Sequence, residues 1–147
     1  MTPQSVLERI VRWASGRGPR PGGLRGAGDD WEMLAERRLT AAGYRILDRN
    51  FRTRSGELDF VAEENGVVCF VEVKGRRGTG FGLPAEAVTA EKRRRIFRTA
   101  EAWLARKRRE NVPCRFDVVS ILEADGTPRV EILRDAFREP AGLRRRR

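Results

Sequence analysis

Residues 56–74, GELDFVAEENGVVCFVEVK, contain two apolar runs with a period of two, and these runs meet at Asn65-Gly66. This dipeptide tolerates the positive φ angles of a two-residue type I′ turn. The stretch therefore predicts an antiparallel hairpin. With Asn65 and Gly66 as the two loop residues, Glu64 faces Val67, and the numbers of directly opposed residues sum to 131.

This register divides the hairpin into two faces, because side chains alternate along a strand. One face is apolar and carries Leu58, Phe60, Ala62, Cys69, Val71 and Val73. The second face is polar at its open end, where Asp59 lies opposite Glu72 and Glu57 lies opposite Lys74. Near the turn, the second face carries Val61, Val68 and Phe70.

The opposed carboxylates of Asp59 and Glu72 indicate a cation. Directly opposed side chains lie roughly 5 Å apart at Cβ, so two carboxylates there repel each other. Mg²⁺ binds a few carboxylates together with waters and phosphate oxygens, which makes this pair a candidate metal clamp. Lys74 could then orient an attacking water or stabilise charge on a phosphate. The alternative is a solvated sheet face on which Glu57 and Lys74 form an ordinary ion pair.

The amino-acid composition limits which catalytic groups and metal sites the chain can contain. The chain has 147 residues, a net charge of +10 and no histidine. The lack of histidine excludes His-containing triads, histidine general bases and His-containing zinc sites, which leaves carboxylates, lysine or a metal for hydrolysis. With no long apolar run and no signal-peptide pattern, we expect a soluble, cytoplasmic protein with no membrane partner. Cys69 and Cys114 fall in strand-like runs, and we expect both in the core without a disulfide.

Basic residues flank the acidic hairpin. Residues 29–88 carry nine basic and eleven acidic side chains, whereas residues 89–110 carry nine basic and three acidic ones. This distribution suits a metal-dependent enzyme that acts on a polyanion, although arginine used only for solubility is the alternative. The candidate nucleic-acid contacts are Arg52, Arg54, Arg76, Arg77, Lys92, Arg93 and Arg95.

The remaining patterns predict helix, three strands, long helix and two strands, with all five strands in one sheet. Asp29 and Glu32 have the spacing of a capping box, and Gly43 ends the first helix. Strands are expected over residues 44–51, 115–122 and 130–133, and the long helix over roughly 90–110 after Thr89 as its cap. The predicted organisation is a flexible basic arm (1–28), one domain (29–139) and a basic tail (140–147).

A long ordered series of motifs resembles the YraN-like family of the PD-(D/E)XK nuclease superfamily, whose members are similar to archaeal Holliday-junction resolvases. The series comprises Gly43-Tyr44-Arg45-Ile46-Leu47, Asn50, Gly56-Glu57-Leu58-Asp59, Phe70-Val71-Glu72-Val73-Lys74, Arg76, Phe81-Gly82, Pro84, Glu86-Ala87-Val88, Lys92 and Arg115-Phe116-Asp117-Val118-Val119. Trp31 departs from the pattern, since a small glycine is expected before Glu32.

The resemblance implies a restriction-endonuclease-like α/β fold, an αβββαβ core with a central mixed sheet flanked by helices. It implies four catalytic residues, Glu32, Asp59, Glu72 and Lys74. It implies Mg²⁺ or Mn²⁺ held by Asp59, Glu72 and the backbone carbonyl of Val73. DNA is the expected partner, with branched DNA as a candidate substrate, and a homodimer is the candidate assembly by analogy with resolvases.

The leading hypothesis is therefore a metal-dependent DNA endonuclease. Two alternatives remain open from the residues themselves. One is a nucleic-acid-binding module that does not turn over, and the other is a basic adaptor that docks acidic protein partners.

Overall fold

A computed structural model of the chain describes residues 27–77, 90–124 and 126–138. The helices and strands are α1 (Ala27–Ala41), β1 (Arg45–Thr53), β2 (Gly56–Glu64), β3 (Val67–Arg77), α2 (Ala90–Arg106), β4 (Cys114–Ala124) and β5 (Thr127–Phe137). The five strands form one sheet in sequence order. Strands β3 and β4 are parallel and all other neighbours are antiparallel, so the predicted α/β class with a mixed sheet is confirmed.

The two helices cover opposite faces of the sheet. The α1-side core consists of Ala35, Leu39, Tyr44, Phe60, Ala62, Cys69, Val71, Val119 and Ile121. The α2-side core consists of Leu58, Val61, Val68, Phe70, Phe97, Ala100, Trp103, Leu104, Phe116, Val118, Leu133, Ala136 and Phe137. Since α2 connects the parallel strands β3 and β4, this helix runs antiparallel to both of them.

The predicted hairpin register is confirmed over five residue pairs. The β2–β3 ladder runs from Glu64–Val67 to Phe60–Val71, and each pair sums to 131. Asn65 and Gly66 have φ angles of 51° and 81°, as a type I′ turn requires. The ladder ends at Phe60–Val71, so the next predicted pairs, Asp59 with Glu72 and Glu57 with Lys74, are not part of it.

The alternation of side chains between the two faces of β2 is interrupted between Leu58 and Phe60, next to the end of the β2–β3 ladder. Phe60 belongs to the α1-side core, as predicted, but Leu58 belongs to the α2-side core. A regular strand would place these two residues on one face. On β1, the neighbouring Asn50 adopts a φ of 50°, a left-handed conformation that reorients the chain. Asp59 therefore lies where the regular pleat of β2 is interrupted.

The element boundaries correct four details. Helix α1 begins at Ala27, so Asp29 lies inside its first turn and the predicted capping box is wrong. Gly43, with a φ of 99°, ends this helix as predicted. Helix α2 ends at Arg106, and β5 is longer than predicted. Cys69 is buried and Cys114 is exposed, so only Cys69 is a core residue.

The predicted basic arm, except for its last two residues, the cap Thr89 and the basic tail lie outside the described residues. Within the described ranges, neither helix is long and apolar enough to cross a bilayer.

A buried polar network ties the segment just before β1 to β2, β4 and β5, at the end of the sheet near the hairpin turn. Asp117 is fully buried and accepts hydrogen bonds from Tyr44 Oη (2.7 Å) and Arg115 Nε (3.0 Å). Glu64 accepts hydrogen bonds from Arg115 and Arg134. The Arg134 hydrogen bond, together with Arg115, lowers the pKa of Glu64 to about 2, whereas burial and Asp117 raise the pKa of Tyr44. This network adds polar contacts between these segments to the packing of the two apolar cores.

Candidate functional site

Asp59 occupies the gap that opens between β2 and β3 beyond the end of their ladder. The residue is only 6% exposed. Its Oδ2 accepts a hydrogen bond of 2.7 Å from the backbone N–H of Val73. A side-chain carboxylate thus takes the place that a backbone carbonyl would occupy in a regular antiparallel ladder. The interrupted pleat at Leu58–Phe60 is what lets Asp59 point along the sheet into this gap.

The hydrogen bond orients Val73, which lies between Glu72 and Lys74. In a strand, the N–H and C=O of one residue face the same neighbouring strand. The Val73 carbonyl therefore faces the same gap as the Asp59 carboxylate. Both Glu72 and Lys74 are half-buried, and the Oε1 atom of Glu72 is buried. The contact brings three of the four predicted catalytic residues to one place on the sheet.

The donor set fits a hard divalent cation. Asp59, Glu72 and the Val73 carbonyl offer only oxygen ligands, and Mg²⁺ completes such partial sets with waters and substrate oxygens. Among the described residues, no three acidic, cysteine or histidine side chains cluster closely enough to hold a metal by themselves. These residues can hold a cation only with help from water or substrate.

The alternative of an ordinary solvated face does not describe this end of the hairpin. Asp59 is buried, and Glu57 pairs with Arg52 on β1 at 3.3 Å, not with Lys74. That partner follows from the β1–β2 register, in which Arg52 and Glu57 are directly opposed. The predicted Glu57–Lys74 pairing is therefore wrong. Glu57 lies beyond the end of the β2–β3 ladder and is paired with Arg52 of β1 instead.

Trp31 connects the helix that carries Glu32 to the strand that carries Lys74. A Cβ added at Gly75 would lie only 1.8 Å from Cε3 of the Trp31 ring. The indole therefore lies directly on the backbone of β3, one residue after Lys74, and Glu32 is half-buried beside it. The large residue before Glu32 is accommodated because glycine follows Lys74, a pairing that the sequence pattern did not reveal.

The structure brings part of the predicted nucleic-acid surface together. A Cβ at Gly56 would meet Thr99 Oγ1 at 3.3 Å and Arg95 Cβ at 3.8 Å, so the β1–β2 turn lies against α2. The exposed Arg54 lies in this turn, beside the helix on which Arg95 is exposed, whereas Arg52 follows Phe51, which packs on the α2-side core, and so lies on the other face of β1.

The other predicted basic contacts differ in their surroundings. Lys92 and Arg93 are half-buried on α2. The backbone of Arg76 and Arg77 ends β3, and their side chains lie outside the described part of the structure.

A pocket in the described ranges is lined by none of these candidate basic contacts. It is formed by the first turns of α1, the end of β4 and the start of β5, and its lining residues are Asp30, Trp31, Met33, Leu34, Arg37, Glu123 and Pro128. Trp31 contributes to both places, but none of the predicted catalytic side chains lines the pocket. The catalytic roles of Glu32, Asp59, Glu72 and Lys74 stay predictions.

Comparisons with known proteins place the chain among homologues. A family model described as uncharacterised protein family UPF0102 matches residues 31–121, a range that contains all four predicted catalytic residues. UPF0102 protein STH1475 of Symbiobacterium thermophilum is 51% identical over 114 residues, which cover 77% of this chain and 97% of that protein. A UPF0102 protein of Rhodococcus opacus is 52% identical over 107 residues, which cover 72% and 91%. A UPF0102 protein of Trichlorobacter lovleyi is 44% identical over 117 residues, which cover 78% and 92%.

Proposed function

The chain belongs to the UPF0102 family, the YraN family of PD-(D/E)XK-like proteins, and we propose that it is a Mg²⁺- or Mn²⁺-dependent endonuclease that hydrolyses phosphodiester bonds in DNA. The observation that carries this proposal is the hydrogen bond between Asp59 Oδ2 and the N–H of Val73. It holds a buried carboxylate next to a backbone carbonyl, in the gap flanked by Glu72 and Lys74.

In this proposal each residue has a separate role. Asp59, Glu72 and the Val73 carbonyl would hold the cation, which when bound would lower the pKa of a water and stabilise negative charge on the phosphate. Lys74 orients the attacking water and balances the developing negative charge. Glu32 acts from α1 and orients water or substrate. Arg52, Arg54 and Arg95 bind the DNA backbone, because the chain is strongly basic around this acidic site.

The test is cleavage of linear duplex, single-stranded and four-way-junction DNA of matched sequence, each with Mg²⁺, Mn²⁺ or EDTA. We expect nicking by the wild type that EDTA abolishes and that Lys74→Ala lowers by at least about 100-fold. Lys107→Ala is the matched control, since Lys107 is exposed in the turn after α2 and should leave the rate unchanged. Equal nicking by wild type and Lys74→Ala would refute the assignment.

A non-catalytic nucleic-acid-binding module is the second candidate. It is favoured by the absence of a three-carboxylate cluster among the described residues. This candidate predicts DNA binding that survives EDTA and Asp59→Ala, without cleavage under any metal. If the wild type shows no saturable DNA binding at physiological salt, both candidates fail and a protein-docking role replaces them.

The same assay addresses substrate and assembly. We propose branched DNA as the preferred substrate, on the likeness of the family to junction resolvases alone. A faster cut on the four-way junction than on the matched duplex would support this preference. A two-fold junction suits a two-fold protein, so sedimentation of the chain with the junction tests whether two copies bind.

A further inference from the structure

Arg93 differs from the other basic residues of α2 in one respect. Its Nε atom is buried and has no hydrogen-bond acceptor among the described residues. The neighbouring Arg95, in contrast, is exposed and pairs with Glu91 at 2.9 Å. A buried guanidinium N–H without an acceptor costs free energy, and such a group in a native structure needs an explanation.

The position of Arg93 on the helix explains its burial. Residues three, four and seven apart lie on one face of a helix. Arg93 precedes Phe97 by four residues and Ala100 by seven, and both belong to the α2-side core. Arg93 therefore lies on the stripe of α2 that faces the sheet, whereas Arg94 and Arg98 are exposed.

The topology shows which part of the sheet this stripe covers. Helix α2 follows β3 and runs antiparallel to it, so the first turns of α2 lie over the end of β3. Lys74 lies three residues before the last residue of β3, and Glu72 lies at the midpoint of the strand. The contact of Gly56 with Arg95 and Thr99 supports this placement, because β2 begins where β3 ends. The sheet-facing side of Arg93 is thus directed towards the end of the sheet that carries the candidate site.

We propose that Arg93 is a phosphate receptor of the candidate site and donates hydrogen bonds to a non-bridging oxygen of the bound DNA strand. A guanidinium presents several N–H donors in a planar fork that matches phosphate oxygens. Because Nε is closed to solvent in the free protein, the side chain rotates on binding to bring this N–H to the phosphate oxygen, and the cost of burying the donor is then recovered. This inference rests on the proposed function and adds a substrate contact inside the site to the exposed arginines around it.

The inference predicts opposite effects on folding and binding. Arg93→Met keeps a long unbranched side chain and removes the buried donor. We expect this variant to melt about 3 °C or more above the wild type without DNA. We also expect it to bind duplex DNA about 10- to 100-fold more weakly, as lost hydrogen bonds to a charged group imply. The slope of log K against log salt should fall by roughly 0.9.

The experiment is fluorescence anisotropy of labelled duplex DNA in EDTA over a salt series, with thermal melts of the same proteins. Arg94→Met is the matched control, and we expect its melting temperature to equal that of the wild type. A lower melting temperature for Arg93→Met would show a structural role and overturn the inference. DNA binding weakened no more by Arg93→Met than by Arg94→Met would also overturn it.

The outcomes separate this inference from the proposed activity. If the wild type binds DNA but cleaves nothing with either metal, the endonuclease proposal fails and the predicted loss of binding still decides the role of Arg93. If the wild type cleaves DNA and Arg93→Met binds like Arg94→Met, only the inference fails. If the wild type binds no DNA, both are overturned.

Discussion

The contact between Trp31 and Gly75 makes Gly75→Ala the most informative single substitution. The added Cβ would lie 1.8 Å from Cε3 and 2.2 Å from Cδ2 of the indole. Non-bonded carbon atoms prefer separations of about 3.5–4.0 Å, so the ring or the helix must move by nearly 2 Å. Overpacking of this kind typically costs about 1–3 kcal/mol. Because the ring is rigid, we expect a loss near 3 kcal/mol in urea unfolding.

The matched double variant tests the cause of this loss. Trp31→Ala removes the ring atoms that the new Cβ would meet, so Gly75→Ala should cost little more in that background. A coupling free energy of at least about 1 kcal/mol is expected between the two positions. Gly126→Ala is the control, because a Cβ there meets nothing within 4 Å and its cost comes from a φ of 74°. Additive effects of Trp31→Ala and Gly75→Ala would refute the reasoning.

The same substitution should affect catalysis beyond its effect on folding. Displacement of α1 moves Glu32 relative to Lys74, and a misplacement of about 1 Å can cost about 100-fold in rate. Nicking by folded Gly75→Ala should therefore fall while its DNA affinity stays close to that of the wild type. An unchanged nicking rate in the folded variant would show that the position of Glu32 does not matter.

Three further predictions concern the polar network and the cysteines. The pKa of Glu64 is lowered to about 2 from 4.5, so its contribution to stability is complete above pH 4.5 and is lost as the pH falls towards 2. The free energy of unfolding should therefore fall more steeply with decreasing pH for the wild type than for Glu64→Gln. Tyr44→Phe removes the hydroxyl donor to the fully buried Asp117 and should cost about 1–3 kcal/mol in urea unfolding, whereas a change below about 0.5 kcal/mol would contradict the importance of this bond. A thiol reagent at neutral pH should label the exposed Cys114 in the native protein, while Cys69 reacts only on unfolding because burial raises its pKa to about 12.

Local sequence patterns predicted most of the architecture. The turn at Asn65-Gly66 fixed the register of the central hairpin, because turn geometry and a period of two leave little freedom there. The long helix and the strands around Gly126 followed from apolar periodicity in the same way. The faces of the apolar hairpin residues were also predicted correctly, except at Leu58.

The site was harder to predict because it lies where the regular pattern ends. The register of the hairpin predicted that Asp59 pairs with Glu72. The β2–β3 ladder ends one pair earlier, at Phe60–Val71, and Asp59 accepts a hydrogen bond from the backbone N–H of Val73 instead. Such a side-chain-to-backbone contact leaves no periodic signal. The Trp31–Gly75 contact joins residues 44 positions apart, and only the packing of α1 on the sheet brings them together.

The irregularities on the outer strands have a consequence for how copies of the chain can associate. β1 carries a bulge between Ile46 and Asp48 and the left-handed Asn50, and β5 carries the left-handed Asp135. Flat, regular edges can accept a strand from another molecule, whereas bulges and charged side chains prevent this. Continuation of the sheet from one copy into the next is therefore disfavoured, which limits fibrous aggregation. If two copies bind one DNA junction as proposed, contacts through helices or loops are favoured over strand pairing.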